Sequence, residues 1–196
     1  MSTGADHERY TIRRKLLKIF GAAFHIYDRS GGVVGYCKQK AFRLREDIRV
    51  FTDETMTTPL LVLKTRQVID FSASYDVLLP DGTALATLRR GGMKSTFLRD
   101  AWTIVDDKGV LIGRLEEQGS VTPLVRRYAG DAGALFPQRT ELTDAEGRPV
   151  ATFRTHFNPI VYKLGVAVHE DQHGELDELV ILAAACLTAA IEGRQE

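Results

Sequence analysis

The sequence predicts one mainly β domain whose apolar C-terminal stretch, residues 176–191, forms a helix buried inside the sheet. Three observations carry that reading. Apolar and polar residues alternate through much of the chain, Asp-led turns ending in glycine recur between apolar runs, and a leucine- and alanine-rich run replaces the alternation at the end. A length of 196 residues suits a single domain. No Gly/Ser-rich linker divides it, so residues 1–196 are taken as one unit.

The alternation identifies strands. In FRLREDIRVF the apolar Phe42, Leu44, Ile48 and Val50 share one parity, and Arg43, Arg45 and Arg49 take the other. In IVYKLGVAV the residues Ile160, Tyr162, Leu164, Val166 and Val168 line one face. A period of two marks a strand with one dry and one wet side. Trp102, on the parity of Leu98 and Ile104, reads as core, as do Phe42, Phe51 and Phe153.

The runs are joined by hairpins. YDRSGGVVG, VDDKGVLIG and TDAEGRPVA each place Asp before a glycine, and LLPDGTALATL is a tighter variant. Aspartate can accept hydrogen bonds from amides two residues on, and glycine supplies positive φ without steric cost. Their spacing is irregular, which excludes a solenoid.

The last element is a helix over about residues 175–192. Glu175, Asp177 and Glu178 suit the positive end of a helix dipole, and Gly193 follows as a stop. No charge occurs from residue 179 to 191. A helix apolar on all sides is either a core element or a membrane span. This uncharged run falls short of the roughly 20 residues needed to cross a bilayer. Its many alanines would let strands approach from every direction.

Composition narrows the function classes. Lys+Arg and Asp+Glu both number 26, so no global field draws the chain to nucleic acid, and a basic region would have to be local. Cys37 and Cys186 sit in very different sequence contexts, and their spacing suggests neither a disulfide framework nor a metal knuckle, so both read as reduced thiols. Basic residues interrupt the early apolar stretch, where Leu16, Leu17, Ile19 and Phe20 lie among Arg13, Arg14, Lys15 and Lys18. That pattern is unlike a secretory signal. The expected location is cytoplasmic, at most peripheral at a membrane.

Many antiparallel strands followed by one apolar C-terminal helix resemble the tubby C-terminal-like fold, which includes tubby domains, phospholipid scramblases and LURP-one-related proteins. The chain is most similar to the LURP-one-related branch over nearly its whole length. The likeness lies in GAAFHIYDRSGGVVGYCKQKAFRLREDIRVF, RQVIDFSASYDVLLPDG, FLRDAWTIVDDKGVLIGRLEE, FNPIVYKL and the final helix. The resemblance implies a closed antiparallel β-barrel of about twelve strands around a central helix. A closed barrel has no free edge, so a monomer is expected. The resemblance also directs attention to anionic lipids, because tubby domains bind phosphoinositides through basic residues.

Candidate sites follow from residue chemistry. Lys38, Lys40, Arg43 and Arg45, then Arg89, Arg90 and Lys94, are local basic groups that could hold a phosphorylated headgroup or an anionic leaflet. Glu46, Asp47 and Asp100 lie among them, as on an ordinary solvated strand face. HEDQH fits the H-E-x-x-H pattern, making His169 and His173 candidate metal ligands. That chemistry needs both histidines on one helical turn, whereas a strand ends at Val168 and Gly174 follows, so a polar loop is the simpler reading. No nucleophile elbow, phosphate-cradling loop or dinucleotide fingerprint occurs. Cys186 reads as a small apolar core residue.

The expectation is therefore a non-enzymatic module without a cofactor, binding an anionic phospholipid headgroup, a membrane surface or a protein partner through its outer wall. The alternatives are a metal-dependent hydrolase centred on HEDQH and a scramblase-like membrane-associated protein.

Overall fold

The computed structural model describes residues 8–15, 22–39, 47–69, 72–90, 101–118, 139–156, 161–169 and 176–192. The alternation becomes twelve strands. These are β1 (Glu8–Lys15), β2 (Ala22–Asp28), β3 (Val33–Gln39), β4 (Ile48–Phe51), β5 (Pro59–Ile69) and β6 (Ser72–Leu78), followed by β7 (Ala84–Arg90), β8 (Ala101–Val105), β9 (Leu111–Gln118), β10 (Arg139–Asp144), β11 (Pro149–His156) and β12 (Val161–Val168). One helix, α1 (Glu178–Glu192), comes last. Every strand is antiparallel to its neighbours in sequence. β12 then pairs with β1, from Glu8↔Ala167 to Lys15↔Val161, and the sheet closes into a barrel.

The inward parity of each strand supplies the core. Ile12, Ile26, Leu63, Val77, Ile104, Phe153 and Leu164 are all buried, and Tyr162, Leu164, Val166 and Val168 share the inner face of β12 as their spacing predicts. The helix occupies the middle. From Val180 to Leu187 no residue is more than 4% exposed. A helix reachable from one side would show exposure every three or four residues. α1 approaches β5, β7 and β12, on different sides of the ring. Its alanines at 183–185, 189 and 190 are all buried.

Three contacts seat the start of the helix. Asp177 is the N-cap rather than a first-turn residue, since its Oδ1 accepts from the Leu179 amide at 2.7 Å. The Glu178 carboxylate accepts from Tyr10 Oη at 2.5 Å and from Arg9 Nε at 2.6 Å, tying α1 to β1. Leu176 lies above Gly113, where a Cβ would come within 3.1 Å of Leu176 Cδ1 and 2.9 Å of the Thr143 carbonyl oxygen. On the outer side of the same seam, the nearly buried Glu8 carboxylate covers Gly165. It accepts from His156 Nε2 and lies 4.0 Å from Lys163 Nζ.

The hairpins share one frame. The amides of Asp28, Leu79, Asp106 and Asp144 donate to the carbonyls of Gly32, Thr83, Val110 and Arg148, at 2.8–3.0 Å. The fourth residue of each turn is a glycine with φ between 82° and 90°, as a type I turn followed by a left-handed residue requires. LLPDG is thus not a tighter variant; Leu79 occupies the place that Asp takes in the other three. After each turn one residue is left over in the ladder. Ile26 pairs with Gly35 but Tyr27 with Val33, so Val34 is a bulge. Leu85, Ile112 and Val150 hold the same place, and all four pack on the core. A fifth hairpin, between β4 and β5, lacks the glycine. Thr52 donates to the Thr58 carbonyl at 3.0 Å, and Met56 takes the left-handed position with φ 55°.

Two stability measurements test this account. Ala185→Leu inserts a side chain where the helix already meets the wall, and denaturant unfolding should show a loss of about 1–3 kcal/mol; an unchanged midpoint contradicts a filled lumen. Gly109→Ala should lose about 1–2 kcal/mol from its left-handed φ, whereas Met56→Gly removes the same kind of strain and should raise stability by up to about 1 kcal/mol.

Candidate functional site

The outer faces of β1–β4 bring together groups that are scattered in sequence. Because Ile26, Cys37 and Val50 point inward, their neighbours His25, Tyr27, Tyr36, Lys38 and Arg49 point outward. Register aligns Arg13 with His25, His25 with Tyr36 and Tyr36 with Phe51, forming a row across four strands. The His25 ring lies 5.0 Å from that of Tyr36 and 6.0 Å from that of Tyr27, and Arg13 Cζ stands 4.8 Å over Tyr27. His25 Nε2 meets Glu54 Oε1 at 2.6 Å. The Tyr36 hydroxyl is pushed up, first by partial burial and then by the charge of Glu54. Beside this row, continuation of the Cys37↔Val50 register places Lys38 next to Arg49, and both are exposed. From Thr11 to Phe51, the described outward strand positions hold Arg13, Lys38 and Arg49, while the carboxylates beside them are Asp47, which accepts from the Thr65 amide at 3.0 Å, and Glu54 on His25.

Other sequence candidates separate. Lys40, Arg43, Arg45, Lys94 and His173 lie outside the described residues. Arg89 and Arg90 do not form a pair, since consecutive strand residues face opposite ways. Arg89 is exposed beside Thr103, while Arg90 is half-buried on the inner parity opposite Trp102. β7 lies four strands from β3, about 19 Å along the wall at the usual spacing, so Arg89 and Lys38 cannot share one headgroup. Arg14 also faces inward, its Cζ 5.4 Å from the Tyr162 ring centre. Phe51 is half-buried on the outer side rather than in the core; Val50 takes the inward place.

His169 is exposed and still belongs to the sheet edge. Its amide donates to the Val150 carbonyl at 2.9 Å, and its Nε2 lies 3.3 Å from Thr152 Oγ1. Backbone held in this way is extended, not the helical turn that H-E-x-x-H chemistry requires. Among the described residues, no three His, Cys, Asp or Glu side chains come together to hold a metal ion, and no helix is long and apolar enough to cross a membrane. Both thiols are buried, and burial pushes Cys37 up to about 12 and Cys186 well above its ordinary value. They lack the thiolate character a nucleophile needs.

The turn aspartates are committed to the backbone. Asp28 Oδ1 accepts from Ser30 Oγ at 2.7 Å and the Gly32 amide at 2.8 Å, and these bonds hold its carboxyl below the usual range. Asp53 is lowered first by the Thr55 hydroxyl, and Asp81 by the Thr83 amide. At Asp144 burial opposes ionisation most strongly. The amide and guanidinium of Arg148, together with the Glu146 amide, outweigh it, and the carboxyl again lies low.

Sequence parity alone could have found the outward aromatics in HIY and YCK, but not their adjacency, which depends on register. No protein-family model matches the chain, and no curated protein matches it.

These aspartates set an acid limit. Each has a folded-state pKa below its unfolded value, so its stabilising effect is complete above about pH 4 and fades as pH falls through the folded value. Thermal melting from pH 7 downward should show a plateau and then a decline below about pH 4. Asp144→Asn should lower the plateau and flatten the decline. A wild-type melting temperature that stays constant into strong acid contradicts the assignment.

Proposed function

We propose that the chain is a binding module of the LURP-one-related, tubby C-terminal-like kind, and that it engages anionic phospholipid through the outer wall of its barrel. The observation that carries this reading is the exposed Lys38–Arg49 pair with Arg13 on the same wall, where the nearest described carboxylates are already engaged, Glu54 by His25 and Asp47 by the Thr65 amide. The helix fills the inside, which directs recognition to the wall. Neighbouring tyrosines favour the same partner, because amphipathic rings settle where apolar and wet layers meet.

Sedimentation with anionic vesicles tests the proposal. Each basic side chain near an anionic leaflet contributes about 1 kcal/mol, so Lys38→Ala with Arg49→Ala should weaken partitioning about 30-fold at low salt. Absence of binding by the wild-type chain at low salt sinks the proposal, as does a double variant that binds undiminished.

A further inference from the structure

The barrel is polarised along its axis. All five described hairpin turns lie at one rim, because they join even-numbered strands to the following odd-numbered ones in an up-and-down barrel. Together these turns hold eight carboxylates against only Arg29, Lys108 and Arg148. The whole chain balances at 26 of each sign, so the sequence outside the turns carries an equal excess of positive charge. Asp177 and Glu178, at the helix start, belong to the same acidic end.

We propose that this protein lies tilted against an anionic bilayer, with the half of the β1–β4 wall that carries Arg13, Lys38 and Arg49 toward the lipid and the acidic turn rim, including Glu54 beside His25, tipped away. This inference rests on the anionic-lipid reading above and specifies its geometry. The partner is a charged surface rather than one headgroup. Arg13 lies two strands from Lys38 and three from Arg49, a lateral spread of about 10–14 Å, on the convex side of a closed sheet. Groups on a convex wall diverge, so they meet a plane more readily than they converge on a single phosphate. Repulsion of the turn rim by the leaflet adds a torque that fixes the orientation.

Site-specific labelling tests the orientation. Cys37 and Cys186 are fully buried, so a cysteine introduced at Ala23, on the wall, or at Val110, in a turn, takes a polarity-sensitive dye selectively. With phosphatidylserine–phosphatidylcholine vesicles, the dye on Ala23→Cys should shift to the blue and that on Val110→Cys should not. Binding should be equal on phosphoinositide vesicles of matched surface charge. A shift at Val110→Cys alone, a shift at neither position while the protein still sediments, or binding that follows phosphoinositide content at constant charge overturns the orientation but leaves lipid binding standing. Tight binding of soluble inositol hexakisphosphate that prevents vesicle sedimentation points to a single polyanion site and also overturns it. Failure to sediment with any anionic vesicle removes the underlying reading, and the orientation with it.

Discussion

A helix without a polar face is the constraint on which the rest of the structure depends. Residues 179–191 offer no side that water can occupy favourably, and a flat sheet would cover only part of the circumference. Closing the sheet around the helix solves both problems, since it also removes the unpaired edges of β1 and β12. The strand number follows from size. Twelve strands at the usual spacing enclose a ring about 9 Å in radius if upright and about 12 Å if tilted by some 40°. That is the distance at which one packed element rests on another. Alanine on the helix and Val, Leu, Ile and Phe on the wall fill the gap between them.

One end of this barrel is built from the five described hairpin turns. At the turn rim the chain reverses through short frames whose geometry is set by a left-handed glycine and a carboxylate bonded to amides. The bulge that follows each one turns an extra apolar residue toward the core. A small residue then comes next in four of them, namely Gly35, Ala86, Gly113 and Ala151. Gly113 shows the reason, because Leu176 occupies the space beside it. At Gly113 the wall thus lies close against the start of the helix, which Arg9 and Tyr10 tie to β1 and Asp177 caps. Hairpin chemistry and helix placement are one problem solved by the same residues.

How much of this the sequence discloses depends on whether a feature is local. Alternation, turn glycines and the uncharged terminal run are local, and strands, four hairpins and the helix were legible from them. The β4–β5 hairpin was not, because Met56 holds a position that composition assigns to glycine. Arg90 and Arg14 mislead for another reason. Near a barrel end, an inward arginine can lie along an aromatic ring such as Tyr162, and charge then ceases to indicate the wet face. The Glu8–His156 bond and the Arg13–His25–Tyr36 row join distant parts of the chain. Only the closed register creates them, so parity could nominate their members without grouping them.

The filled interior also determines the style of recognition open to this fold. Inside, groups that carry chemistry elsewhere are suppressed: both thiols are held protonated by burial. Five of the eight turn carboxylates, Asp28, Asp53, Asp81, Asp106 and Asp144, are likewise committed to backbone amides rather than left to a ligand. What stays accessible is a curved wall on which every second residue faces out and neighbours are chosen by register. Such a wall provides area, charge and aromatic edges instead of depth. Selectivity on it must come from how charge is distributed over several strands, and the stretch from Arg13 through Lys38 to Arg49 gathers exposed cations whose neighbouring carboxylates, Asp47 and Glu54, are engaged by Thr65 and His25.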